Sequence, residues 1–172
     1  PYEERYLYII RTLRPRMKTP KVLVGCPTAH FNHYCLKEYL EGVKYLTYPN
    51  VDFVIVDNSK TDDYYEEILS HGVSVIKDEY RQGSKERIVH SRNMLRKIFL
   101  EGDYDYFLSL EQDVIPPPDV IEQLMKYDKA VVSGVVFTTF YLGDEEEKKI
   151  KPLLWIETSE TTMRFADQEI LD

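Results

Sequence analysis

What most narrows the folds open to this chain is an alternation of short apolar runs with longer segments of helical period. KVLVGC (21–26), VDFVIV (51–56), VSVI (73–76), YDYFLSL (104–110), AVVSGVVF (130–137) and PLLWIE (152–157) are short and rich in β-branched and aromatic residues. Such runs predict strands. Between them, apolar residues at helical spacing predict helices over 31–45 (Tyr34, Leu36, Leu40, Val43), 62–69 and 84–100 (Ile88, Leu95, Ile98, Phe99). A further helix is predicted over 119–125, with Pro118 suited to its first turn. Strand and helix in strict alternation imply an α/β three-layer sandwich with a mostly parallel central sheet. Residues 143–151 (GDEEEKKIK) read as an exposed charged loop, and 158–172 are polar without a clear period.

The 172 residues suit one domain, and no internal repeat or interdomain linker interrupts them. No apolar run approaches the roughly 20 residues of a membrane-spanning helix. With 30 acidic against 22 basic residues, the chain lacks the basic face a general nucleic-acid binder needs. Two cysteines, Cys26 and Cys35, are too few for a disulfide framework and are expected as free thiols. Beginning at Pro1 without a secretion signal, the chain reads as a trimmed product, cytoplasmic or facing the cytoplasm. Its first 20 residues space Tyr6, Ile9, Ile10 and Leu13 as an amphipathic helix. The accompanying Arg11, Arg14, Arg16 and Lys18 offer a peripheral contact to anionic lipid or a partner protein, or a solvated helix face.

In parallel α/β sheets ligands bind outside the carboxyl ends of the strands. Three of those ends are polar here: Cys26-Pro27-Thr28-Ala29-His30, Asp57-Asn58-Ser59 and Glu111-Gln112-Asp113. The last carries most weight. Two carboxylates one residue apart, after an apolar strand, can share a hard cation such as Mg²⁺ or Mn²⁺ that keeps positions open for phosphate oxygens. Asp57 could accept from a base N–H or a ribose hydroxyl, or equally form a turn. The local basic patch of Arg81, Lys85, Arg87 and Arg92 offers charge for a diphosphate, with Arg92 and Asn93 the better placed on their helix. Zinc motifs, G-x-G-x-x-G, the P-loop and the G-x-S-x-G elbow are absent from the sequence. The His30-x-x-His33 pair is too isolated to read as a ligand set.

Taken in order, Pro27-Thr28, Asp57-Asn58-Ser59 with Thr61-Asp62, Arg92-Asn93 and Glu111-Gln112-Asp113 resemble the GT-A-fold (Rossmann-like) glycosyltransferases. The likeness is strongest to glycosyltransferase family 2, whose equivalents read roughly PTYN, DDGSxD, ARN and LDxDD. LTYPNVDFVIVDNS and SRNMLRKIFLEGDYDYFLSLEQDVIPPPDVIEQL are also similar to the fungal Golgi mannosyltransferase family that uses GDP-mannose. The resemblance covers about residues 21–137. It implies a single domain over 1–172, with a helical extension (1–20), a nucleotide-sugar-binding core (21–137) and a partial acceptor-side region (138–172).

It also implies a metal-dependent hexosyltransferase working from a UDP- or GDP-sugar onto a glycan, lipid or protein acceptor. Pro27, Thr28 and Asp57 would then lie beside the nucleoside, and Arg92, Glu111 and Gln112 around the donor. Asp113 would ligate Mn²⁺ or Mg²⁺, aided by Glu111, which stands where aspartate is usual. An inverting reaction would need a carboxylate base. Glu157, Asp167, Glu169 and Asp172 are the candidates, and no motif singles one out. A noncatalytic nucleotide-sugar-binding module is the rival from another class. A sugar nucleotidyltransferase on the same scaffold is a second rival, although the turn after the first strand lacks the Gly-rich basic loop it would use.

Overall fold

The computed structural model describes residues 19–141, 148–152, 155–159 and 162–165. They belong to two compact units, one ending at Ile121 and the other beginning at Glu122.

The first unit is built on four parallel strands in the order β3-β2-β1-β4. They are β1 (Val22–Thr28), β2 (Val51–Asp57), β3 (Val75–Lys77) and β4 (Tyr106–Ser109). Every residue of β1 is buried, as a strand flanked on both edges and covered on both faces should be. A 3-10 helix (His30–Cys35) and α1 (Leu36–Lys44) lead from β1 to β2. The helix α2 (Asp63–Ser70) joins β2 to β3, and α3 (Ser84–Glu101) joins β3 to β4. Each helix buries residues spaced three or four apart: Leu36, Tyr39 and Leu40 on α1, Tyr64 and Ile68 on α2, Ser91 and Leu95 on α3. Ile88, expected on the buried face of α3, is 43% exposed.

Two details of β1 follow from its neighbours. A Cβ at Gly25 would lie 2.7 Å from the Phe107 ring and 3.0 Å from a Leu95 methyl. Glycine there lets α3 and β4 close on the strand. Proline inside a central strand normally forfeits a ladder bond. Pro27 avoids this because its nitrogen shares the phase of Gly25, whose carbonyl accepts Leu110 N–H (3.0 Å) on the β4 side. Pairing with β4 ends at Gly25, so β1 runs past the expected stop at Pro27 to Thr28.

The helix α4 (Val120–Met125) follows Pro118 and runs across the boundary between the units. In the second unit β5 (Phe137–Tyr141) pairs antiparallel with β6 (Lys148–Pro152), and β7 (Trp155–Ser159) with β8 (Thr162–Phe165). This corrects two expectations. Residues 130–136 form no strand, and Val131 is 88% exposed. Apolar composition alone does not make a strand, which also needs a partner for its N–H and C=O groups; pairing begins at Phe137. The charged stretch 143–151 is in part β6, whose backbone pairs with β5 from Lys148 to Pro152. The helix expected near the N-terminus falls on residues 1–18, outside the described residues.

Candidate functional site

The strands β1 and β4 are neighbours in the sheet but distant in sequence. The chain winds from β1 outward through β2 to β3, then crosses back to place β4 on the other side of β1. Order reverses there, and such a reversal opens a crevice at the strand ends. Thr28 ends β1, and Glu111-Gln112-Asp113 follows β4 in a turn closed by Val114 N–H donating to Glu111 O at 3.2 Å.

Gln112 locks that turn to the sheet. Its side chain is 1% exposed. Its Oε1 accepts from the Thr28 hydroxyl, and its Nε2 donates to the Asn32 carbonyl at 2.9 Å. The Tyr64 hydroxyl sits astride the amide, 3.0 Å from Oε1 and 2.7 Å from Nε2. Because a carbonyl can only accept, the Asn32 contact fixes which end of the amide is nitrogen. One buried residue thus joins β1, the 3-10 helix, α2 and the turn.

On either side of this anchor, Glu111 is half-buried and Asp113 exposed. Asp113 has no hydrogen-bond or ion-pair partner among the described residues. Glu111 Oε1 meets Arg92 Nη2 from α3 at 2.5 Å. The two carboxylates leave a negative field beneath them. The Cys26 thiol is pushed up to about 12, by burial first, with Glu111 and Asp113 adding to the rise and a Tyr39 hydrogen bond opposing it. Cys35 is likewise raised, by burial first and then by Asp113. Both cysteines are free thiols, as expected.

A second polar layer holds the ends of β2 and β3. Asp57 is fully buried; its Oδ1 accepts Ser59 N–H (3.0 Å) and Ser59 O–H (2.5 Å), and its Oδ2 accepts Lys77 Nζ (2.8 Å). The turn role left open for Asp57 is therefore realised. Three donors on a carboxylate with about four lone-pair sites leave room for one more. Asn58 N–H donates to Thr28 O at 2.9 Å, and its Nδ2 to Ser91 Oγ at 3.1 Å.

Asp78, also buried, receives Ser91 O–H (2.8 Å) and Arg81 Nη1 (3.1 Å) and faces His90 Nδ1 at 2.7 Å. Burial alone would raise its pKa, but those hydrogen bonds outweigh burial and lower it. Lys77 and Asp78 escaped the sequence reading although the strand-end rule that found Asp57 points to them equally. Their strand has three residues and is easily passed over. The two histidines of the H-x-x-H pair do meet, with ring centroids 5.7 Å apart, as the i, i+3 eclipse of a 3-10 helix dictates. His33 then faces Glu67 at 2.9 Å.

Of the basic patch, Arg92 reaches the acidic turn. Arg81 turns to Asp78 and to Glu79 O (2.8 Å), and Arg87 to the carbonyls of Arg81 and Gln82 (2.6 and 3.0 Å). Lys85 and Asn93 are exposed. Pro27 is buried behind Thr28. Glu157 lies on β7 in register with Met163, while Asp167, Glu169 and Asp172 fall outside the described residues.

Among the described residues no three or more His, Cys, Asp or Glu side chains gather into a closed metal cage. Two carboxylates alone fit a small hard cation that completes its shell with water and phosphate oxygens.

Residues 28–171 match the family model for glycosyl transferase family 2. The chain belongs to that family. This glycosyl transferase family 2 chain has an all-parallel α/β core in its first unit, the GT-A arrangement. Comparison with curated proteins gives no match. Among solved structures, S. aureus TarS is similar at 17% identity with a TM-score of 0.49, over 62% of this chain and 19% of that one. S. aureus TarS 1-349 in complex with UDP gives the same identity and TM-score over 62% and 31%. The mannosyltransferase PcManGT from Pyrobaculum calidifontis in complex with GDP-Man and Mn²⁺ is 18% identical, with a TM-score of 0.36 over 53% and 31%. This family 2 chain covers between 19% and 32% of the length of the structures it matches. Among its described residues no helix is long and apolar enough to cross a membrane.

Proposed function

We propose that this chain binds a nucleotide-diphosphate sugar and transfers its hexosyl group to a hydroxyl of a glycan, lipid or protein acceptor, assisted by Mn²⁺ or Mg²⁺. The observation that carries this reading is the Glu111–Asp113 turn. Its middle residue is clamped into the core at the β1/β4 reversal, while Asp113 is exposed and Glu111 half-buried against Arg92, in a chain of family 2. UDP- and GDP-sugars are the donors in view.

In this reading Pro27, Thr28 and Asp57, all buried, form the floor beside the nucleoside. Ser59 and Lys77 hold the Asp57 carboxylate in place at the end of β2. Gln112 holds the turn, and Arg92 supplies a guanidinium fork for the diphosphate. Asp113, with Glu111, would hold the divalent ion, which neutralises the departing diphosphate. Glu157, Asp167, Glu169 and Asp172 are the candidate carboxylates for deprotonating the acceptor.

The direct test is calorimetric titration of UDP- and GDP-sugars with Mn²⁺ and again with EDTA, alongside Asp113→Ala. One donor is expected to bind with metal, and to be lost on chelation and in the variant while the far-UV dichroism is unchanged. Absence of any donor binding, or an unaltered affinity in Asp113→Ala, overturns the reading.

A further inference from the structure

The Arg92–Glu111 pair does more than decorate the donor site. Its partners are 54% and 44% exposed, so water can replace either contact at little cost. Each also belongs to a different half of the donor requirement. A guanidinium fork matches a diphosphate as well as a carboxylate, and Glu111 shares a turn with Asp113, whose carboxylate has no hydrogen-bond or ion-pair partner among the described residues.

We infer that Arg92 masks Glu111 in the ligand-free chain and couples binding of the divalent ion to binding of the diphosphate by exchange of partners. This rests on the donor-site reading above and adds to it the order in which charge is satisfied. With Arg92 on Glu111, a metal ion arriving alone finds Asp113 open and Glu111 taken. A diphosphate draws the guanidinium to itself and releases Glu111 toward the ion. The reverse also holds, because an ion on Glu111 frees Arg92 for phosphate. Each ligand therefore tightens the other by the same factor. An exposed ion pair of this kind limits the masking to about 1.5- to 5-fold in affinity.

The test is Mn²⁺ binding followed by electron paramagnetic resonance, with Mn²⁺ alone and with Mn²⁺ plus UDP or GDP. Four full-length proteins are compared: wild type, Arg92→Met, Glu111→Gln and the double variant. Both positions are exposed enough for the variants to fold, which circular dichroism checks. Arg92→Met is expected to bind Mn²⁺ alone about 1.5- to 5-fold tighter than wild type. That gain should vanish in the Glu111→Gln background, and the tightening by nucleotide should shrink in Arg92→Met. A gain that persists in the Glu111→Gln background would mean that removing a positive charge merely raises the local field, and would overturn the inference. So would no gain at all. Asp113→Ala separates the two levels. If wild type binds Mn²⁺ with nucleotide and Asp113→Ala does not, the donor site stands and only the coupling is judged. If wild type binds no Mn²⁺ with either nucleotide, the donor-site reading falls and the coupling with it.

Discussion

Replacing Gln112 by Leu keeps the volume of the side chain and removes all of its hydrogen bonding. Two buried hydroxyls, of Thr28 and Tyr64, lose their Gln112 partner, and the Asn32 carbonyl keeps only the Cys35 thiol. Each polar group left unsatisfied costs about 1–3 kcal/mol. Water relieves some of this near the rim, so the low end of about 1 kcal/mol for each hydroxyl applies, about 2 kcal/mol in total. Against a typical stability of about 5–15 kcal/mol, that is a large fraction. Urea unfolding monitored by far-UV dichroism should show the midpoint fall by the corresponding amount with little change in slope. Gln112→Glu is the informative companion, because it retains the acceptor for the two hydroxyls, loses the donor to Asn32 and buries a charge. Since the same clamp fixes the Glu111–Asp113 turn, Gln112→Leu should also weaken Mn²⁺ binding although it contacts no metal. A stability loss below about 1 kcal/mol would refute the clamp.

Two further perturbations probe the second polar layer. Lys77→Met leaves the fully buried Asp57 carboxylate without its ammonium partner and should cost about 3 kcal/mol in chemical denaturation, the low end for a broken buried pair because Lys77 is 26% exposed. Recovery in Lys77→Met/Asp57→Asn would tie the loss to the orphaned charge, and no recovery would argue against it. Asp78 governs an acid limb. Its folded pKa lies below the ordinary 3.8, so its contribution is complete above that value and disappears as pH falls through the lower native one. Asp78→Asn cannot titrate. It should cost about 1.5–3 kcal/mol at neutral pH and show a shallower loss of stability below about pH 4 than wild type. Parallel stability–pH curves for the two proteins would sink this account.

Much of the first unit can be read directly from residue pattern. VDFVIV becomes β2 nearly as written, and the long period from Ser84 becomes α3, because local apolar spacing and local backbone preference agree in both. The second unit is less legible. AVVSGVVF has the composition of a buried strand yet is unpaired over 130–136, with Val131, Val135 and Val136 exposed, whereas the lysine-rich 148–152 is paired. Burial and pairing are decided by what lies opposite, and opposite residues are not written in a local window.

The same division runs through the site. Glu111-x-Asp113 is visible as two carboxylates after an apolar strand, and Arg92 as a cation on the basic helix before that strand, since residue type and strand-end position are local properties. Gln112 looked like a third donor-facing residue. Its side chain is instead committed to Thr28, Tyr64 and Asn32, which lie 84, 48 and 80 residues away. Nor does a local window say which of the three polar strand ends lie side by side. The sheet order does, by placing the reversal between β1 and β4 and bringing Thr28 to Gln112. Residue chemistry determined which groups were available for phosphate and metal. The crossing of α3 and the register of β4 on β1 decided which of them meet, because the partners in a buried hydrogen-bond network are set by proximity across the sheet and not along the chain.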